Sequence, residues 1–407
     1  MTRYLNLHIL QPFSYANPNR DDTGAPKSAL YGGVLRGRIS SQSWKRAIRL
    51  ATEKALDAAS WRATPAGLAP KLVDHLVERP EFADADEQTR RAMWVAAWVL
   101  VASFTVSNPK TEGAHKAYET DAADDSEPTA DAGNREKKDV LAWFTSADLD
   151  TLADILAEDW DELAPLAAKK SGGDLTKRLD RNGGKLRQLR EHGFGPTDLT
   201  VAAFGRMYAN AVGASVDAAV QVAHALTTHE MAHQIDYFTA VDDVRNAQRD
   251  SQGAGHLGLA QFTGGVYYRY LSINVDDLAA NAAALDVAAA RALLQAMVLA
   301  LPSGKQNVTA NHEPPLLVLA ELRDRSLSYA SAFEAPVPVR DAGLGLASAR
   351  RLVEFAGRVD TMLGGEAERH IVTHLDLDTS DGNGVPDGIT KHPTLPGLLD
   401  EMAAQWS

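Results

Sequence analysis

Tyr4-Leu5-Asn6-Leu7-His8-Ile9-Leu10 alternates, with Leu5, Leu7 and Ile9 on one face and Asn6 and His8 on the other. A period of two is that of a half-buried strand, so the chain is predicted to open with one. A turn-rich stretch follows (Asn17, Pro18, Asn19, Gly24, Pro26, Gly32, Gly33), then a short strand around Arg36 to Ile39. Ser40 and Ser41 are candidate N-caps of a helix whose apolar stripe is Trp44, Ala47, Ile48, Ala51 and Ala55. That stripe turns Lys45, Arg46 and Arg49 away from the core. From Asp198 onward, short apolar runs (199–204, 216–226, 265–273 and 316–322) alternate with helical patterns (278–301 and 347–362). Residues from about 60 to 190 read instead as helices broken by loops, including an acidic stretch from Glu119 to Asp131 without Lys or Arg that reads as mobile. The expected class is therefore α+β: one open-faced sheet built from both ends of the chain, with the middle inserted in it. No internal repeat is visible.

The composition supports a folded soluble protein. At 407 residues, 45% hydrophobic and 23% charged, the chain is long enough for one large domain with insertions or for two to three smaller ones. Collagen-like and wholly disordered classes do not fit. The absence of cysteine removes disulfides, thiolate metal sites and cysteine nucleophiles, and suits a reducing cytosol. Polar Asn6 and His8 interrupt the first apolar run, which does not read as a secretory signal, and the run from Met93 to Val106 is too short for a membrane span. The expected location is cytoplasmic.

The formal net charge of −13 argues against a polyanionic partner until the charges are located. Residues 1–50 carry eight Lys or Arg (Arg3, Arg20, Lys27, Arg36, Arg38, Lys45, Arg46, Arg49) against Asp21 and Asp22. Residues 165–195 carry eight more against three acids. Two basic segments on an acidic body can bind an anion locally, although ordinary solvated faces would have the same composition.

Several short motifs stand or fall on their spacing. His229-Glu230-Met231-Ala232-His233 is an H-E-x-x-H, which on a helix would present two zinc ligands and a general base. The metzincin continuation is missing, since Asp236 and Thr239 stand where Gly and His would be, and the β-branched and aromatic flanks favour extended chain. A zinc-dependent hydrolase using His229, Glu230 and His233 is thus the alternative function. The oxygen-rich stretch from Asp376 to Asp387 puts Asp381 where an EF-hand needs glycine, and reads as a solvated turn. Gly184-Lys185 and Gly304-Lys305 do not complete a Walker loop, and Gly343-Leu344-Gly345 does not complete a dinucleotide fingerprint.

What remains is Asn19-Arg20-Asp21-Asp22 and Lys27, followed by Arg38-Ile39-Ser40-Ser41-Gln42-Ser43-Trp44-Lys45-Arg46-Ala47-Ile48-Arg49. A helix N-terminus offers free N–H donors and a partial positive charge, and here hydroxyls, an amide and cations crowd its first turns. Phosphates suit such a site; a capped surface helix with solvated charges is the plainer reading.

These strings, with Tyr31-Gly32-Gly33, resemble the CasC family, the backbone subunit of the type I-E CRISPR Cascade surveillance complex. Further blocks resemble it in family order: Ala203 to Met207, Gln221 to His229, Asp236 to Asp243, Gly265 to Tyr270, Gly304-Lys305-Gln306 and Ser328 to Glu334. The resemblance implies an RRM-like (ferredoxin-like) palm with a helical finger insertion and an extended thumb. On this chain the palm is expected at 1–59, 196–228 and 264–407, the finger at 60–195 and the thumb at 229–263.

The same resemblance implies that copies assemble in a filament along the CRISPR RNA. The palm grips the sugar-phosphate backbone, and the thumb kinks the guide so that one base flips out while the others stay exposed to pair with target DNA. No catalytic residue, metal or cofactor is expected; cleavage belongs to a recruited helicase-nuclease. The implied partners are the CRISPR RNA, the target DNA strand, other copies of the chain, the large and small subunits, the 5′-end capping subunit and the repeat-processing endoribonuclease. Arg20, Lys27, Ser40, Gln42, Lys45, Arg46 and Arg49 fall in the family's RNA-binding block, with Lys305 and Gln306 as a later contribution. Tyr237, Phe238 and Thr239 match the thumb's wedge, and Met207 resembles an apolar wedge on the palm side. The aromatic strands of ordinary RRM proteins are not evident, so stacking on the sheet face is not assumed.

Overall fold

The opening strand, Tyr4–Ala16 (β1), lies in the middle of a ten-stranded sheet in this computed structural model, which describes residues 3–107, 109–121, 140–170, 174–181, 184–240, 256–339, 343–365, 367–377, 385 and 388–406. Contacts divide the chain into two units. The first joins Met1–Leu56, Ala219–Ala280 and Ala284–Ser407; the second is Asp57–Ala218 with Asn281–Ala283.

The first unit holds the sheet. β1 pairs antiparallel with Leu317–Arg323 (β10) on one side and with His256–Asn274 (β9) on the other. Glu368–Thr373 (β11) and Ile389–Lys391 (β12) extend the β10 side, the last in parallel. On the other side β9 meets Val220–Val222 (β6), Ala225–Thr227 (β7) and Gln234–Ala240 (β8), and β7 passes on to Val34–Ile39 (β3) and Ser28–Tyr31 (β2). The mixed, two-ended α+β sheet is thus observed.

It is not open-faced. On the Ile9 side lies the helix Ser41–Leu56 (α1), where Ser40 caps the N-terminus by accepting from the Ser43 N–H (3.3 Å). Its buried stripe is Trp44, Ile48 and Thr52, while Ala55, expected in it, is exposed. Thr52 fits the stripe because its hydroxyl donates back to the Ile48 carbonyl (2.9 Å), leaving no orphan polar group. On the opposite face the helix Gly343–Leu363 packs Ala349, Leu352, Val353 and Ala356 over Leu10, Tyr268, Leu317 and Leu319.

Asn6 and His8, expected on a solvated face, are therefore buried. The buried polar atoms are held in place by hydrogen bonds. Tyr270 donates to Asn6 Oδ1 (2.8 Å), Asn6 Nδ2 donates to the Arg325 carbonyl (3.0 Å), and His8 Nδ1 meets the Tyr268 hydroxyl (2.8 Å). His8 Nε2 stands 3.4 Å from Glu321, which also binds Tyr329 and Arg369.

The second unit is helical. Helices Pro65–Val77, Glu87–Ala102 and Ser146–Glu158 enclose Leu68, Leu72, Val95, Val99, Leu152 and Leu156, with a two-stranded ribbon of Ser60–Ala63 (β4) and Ala142–Thr145 (β5). Residues 196–218, assigned above to the palm, cluster here by contact, and the apolar run 199–204 is a helix rather than a strand. The tie is Arg206, whose guanidinium reaches the Ala214 carbonyl and the buried carboxylate of Asp148. The helical pattern 278–301 breaks into Val275–Asn281 and Val287–Leu299. The oxygen-rich loop and the acidic stretch past Asp121 fall mostly outside the described residues. Among the described residues no helix is long and apolar enough to cross a membrane.

The second basic segment is largely neutralised. Lys170 pairs with Glu119, Arg178 with Asp159 and Glu162, Lys185 with Glu158, Arg187 with Glu191 and Arg190 with Asp180. Exposed pairs of this kind add little stability, but they cancel the local field that the sequence composition suggested.

Candidate nucleic-acid interface

The basic block at residues 19–49 closes on itself at the N-terminus of α1. Asn19 Oδ1 accepts from the Ser40 N–H (2.9 Å), Lys27 N–H donates to the Asn19 carbonyl (3.0 Å), and Arg38 N–H donates to the Lys27 carbonyl (2.8 Å). Asp21, acidic within a basic block, braces the turn locally, its carboxylate accepting from the Thr23 hydroxyl and N–H and from the Ala25 N–H. The Thr23 hydroxyl first, and then the backbone donors, hold that carboxyl below its ordinary range. Arg20 and Lys27 are thereby carried on a rigid turn.

A residue that sequence reasoning did not select, His224, completes the helix end. Its Nδ1 accepts the Ser41 N–H (3.1 Å) and lies 3.5 Å from the Arg38 guanidinium. Burial, followed by the charges of Arg38 and Lys27, lowers its pKa, which favours the neutral ring whose Nδ1 lone pair this bond needs. It lies in the Gln221–His229 block, but nothing in the local sequence says that it would meet α1, because it enters from the distant loop after β6.

Lys305 and Gln306 arrive by a close backbone approach. A Cβ on Gly304 would lie 2.4 Å from the Pro18 carbonyl oxygen, so only glycine lets this loop touch the turn that carries Arg20. Lys305 Nζ sits 5.3 Å from the centre of the Phe262 ring, whereas the Gln306 amide turns toward His312 (3.2 Å). Among the described residues no carboxylate pairs with Arg20, Lys27, Arg46 or Lys305.

Two expected contacts have other duties, and a third is partly withdrawn from solvent. Ser40 is buried and its hydroxyl oxygen caps α1. Arg49 is bound by both Glu53 oxygens at 2.9 Å, so its charge is compensated. Lys45 is half-buried, and desolvation lowers its ammonium pKa. Gln42 and Arg46 are exposed. Arg36, counted among the basic residues, is wholly internal and donates to the carbonyls of Tyr31, Thr227, Phe333 and Glu334.

β8 and the first half of β9 form an antiparallel hairpin with Tyr237 opposite Leu259 and Phe238 opposite Gly258. Tyr237 is 65% exposed and Phe238 49%. Phe238 rests on Gly258, where a Cβ would come within 2.2 Å of its ring. Thr239 pairs with Leu257 in the backbone register, and its side chain lies outside the described residues. Met207, 83% exposed, belongs to the second unit.

A model of the family described as CT1975-like protein matches residues 5–397. The chain belongs to this family. Among solved structures, a chain of a "CRISPR RNA-guided surveillance complex, pre-nicking" is similar, with 31% identity, a TM-score of 0.77 and coverage of 99% of this chain and 100% of that one. A chain of a "CRISPR RNA-guided surveillance complex" follows at 27% identity and TM-score 0.68, covering 99% of each. No curated protein sequence matches. The resemblance of the motifs to a CRISPR surveillance-complex backbone protein is thus borne out.

In this CT1975-like chain the H-E-x-x-H cannot serve as a zinc motif. Residues 229–233 are not helical, and both nitrogens of His229 are committed: Nδ1 bonds the Glu230 carbonyl (2.7 Å) while Nε2 accepts the Val266 N–H (3.2 Å). This geometry does not support the hydrolase alternative.

Proposed function

We propose that the chain is the guide-holding backbone subunit of a type I-E CRISPR surveillance complex. One observation carries the reading: the Asn19–Ser40 bond holds the turn bearing Arg20 and Lys27 at the N-terminal end of α1, and Gly304 packs the loop bearing Lys305 against that turn, with no carboxylate paired to these cations among the described residues. Such a site recognises the sugar-phosphate backbone and leaves bases unread. The sheet unit serves as the palm, the helical unit as the finger, and the β8–β9 hairpin as the thumb that displaces a base in a filament of copies. The subunit breaks no bond, and it meets target DNA and the remaining complex subunits through the guide and its neighbouring copies.

The test is the RNA carried by the purified chain. The wild type is expected to copurify with RNA protected in a regular length ladder. Arg20→Ala with Lys305→Ala should weaken binding equally for unrelated guide sequences and lower the salt slope by about 1.4, at roughly 0.7 per phosphate contact on a single strand. A wild-type chain that binds no guide RNA at low salt overturns the reading.

A further inference from the structure

The continuous burial of β1 breaks near its end. Phe13 is buried, Ser14 and Tyr15 are both exposed, and Ala16 is buried again. The cause is a bulge: Phe13 pairs with Gly265 and Ala16 with Thr263, so three steps on β1 answer two on β9. Bulges re-aim a side chain, and this one turns Tyr15 off the sheet. Of the two glycines opposite, the first makes room for the bulge and the second lets the chain turn. A Cβ on Gly264 would lie 2.3 Å from the Ser14 carbonyl oxygen, and Gly265 has φ of +141°, which disfavours any other residue.

The re-aimed ring has a rigid backing. Tyr15 lies nearly parallel to Phe262 at 4.4 Å between centres and 25° between planes. Phe262 is 2% exposed and Tyr15 36%, so one ring is fixed in the protein and the other offers a surface. Lys305 reaches the same Phe262 ring. Phe262 stands opposite Gln234, at the root of the β8–β9 hairpin, and the next residues on β1's path lead into the turn bearing Arg20. The Lys305 ammonium is the cation beside this ring pair, so a phosphate is favoured on its side.

We propose that Tyr15, backed by Phe262, is a nucleobase-stacking position for the guide RNA, with Lys305 holding the phosphate beside that base. The proposal rests on the guide-holding reading and adds a contact to it that no motif indicated. A stacked base needs an accessible aromatic face and a nearby cation, and every base has such a face, so the contact is independent of sequence.

The test uses the full chain and a fluorescein-labelled uridine RNA. Tyr15→Ala should bind roughly tenfold more weakly with an unchanged salt slope, because stacking releases no counterion. Tyr15→Phe should bind as the wild type, and Arg20→Ala should lower the slope. Iodouridine in the RNA should photocrosslink the wild-type chain at Tyr15. A wild type that binds RNA, together with Tyr15→Ala binding equally well and no crosslink at Tyr15, overturns the platform; a wild type that binds no RNA fails at the earlier reading. If Tyr15→Ala does not fold, Tyr15→Phe and the crosslink decide. A Tyr15→Ala defect confined to association between copies assigns the ring to a protein contact and also overturns it.

Discussion

The guanidinium of Arg269 lies 3.8 Å from the centre of the Trp44 ring, buried between β9 and α1. It donates to Gln11 Oε1 (3.3 Å) and to the Val298 (3.0 Å) and Met297 (2.6 Å) carbonyls, which end the helix Val287–Leu299. A cation at a helix C-terminus satisfies orphan carbonyls and the helix dipole together. Burial pushes the Arg269 pKa down to about 9, yet the charge survives at neutral pH. Arg269→Ala should cost about 3 kcal/mol in urea unfolding, through lost bonds and the lost ring contact. Arg269→Lys should recover less than half, since an ammonium lacks the planar fork. A loss below about 1 kcal/mol would show that the junction is incidental.

Glu321 is expected to contribute to the acid limit of the sheet unit. Burial alone would raise its pKa, but the His8 ring and the Arg369 guanidinium hold the carboxyl far below its ordinary value of 4.5. A depressed carboxyl contributes stability above its unfolded pKa and loses it as pH falls below that value. Unfolding free energy should therefore drop steadily below about pH 4.5. Glu321→Gln should be less stable at neutral pH by about 3 kcal/mol and have a flatter acid limb. Parallel limbs for the two proteins would refute the assignment.

His229 supports backbone rather than metal. The purified chain is expected to contain far less than one zinc per chain by elemental analysis, and chelator should leave its melting temperature unchanged. Gly265→Ala should be severely destabilising, because its Cβ would lie 1.9 Å from His229 Nε2 at a φ of +141°. Stoichiometric zinc lost on chelation, with a falling melting temperature, would restore the metal reading.

Phe238 separates hairpin from core. Being half-exposed, it should cost the RNA-free chain less than about 1 kcal/mol when cut to alanine, well short of the ~3 to 5 kcal/mol of a buried aromatic. The same change should reduce filament stability and the regular hyper-reactivity of flipped nucleotides in chemical probing. Gly258→Val should mimic it by driving the ring off its seat. Unaltered probing, combined with a large drop in the RNA-free melting temperature, would make Phe238 a core residue.

Much of this architecture is legible in the amino-acid order alone. The period of Tyr4 to Leu10, the caps at Ser40 and the ordered motifs lead to the sheet, α1 and the family. Periodicity could not show that Asn6 and His8 would be covered, since their partners Tyr270, Tyr268 and Glu321 lie hundreds of residues away. Charge counting could not tell Arg36, spent on carbonyls, from Arg20, or detect that Glu53 compensates Arg49. Tyr15 was invisible because a bulge, not the strand period, decides where it points.

The pairing of β1 with β9 and β10 also bears on synthesis. Leu10 meets Tyr268 and Leu317, so the centre of the sheet stays incomplete until most of the chain has left the ribosome. At about 5 to 20 residues per second this leaves an apolar, unpaired strand waiting for roughly 15 to 60 s. Asp57–Ala218, contiguous in sequence and rich in local helical contacts, can fold during that interval. The aggregation hazard of the nascent protein is thus concentrated in its first strand, and a chaperone that shields residues 4–16 should improve yield more than one acting on the helical unit.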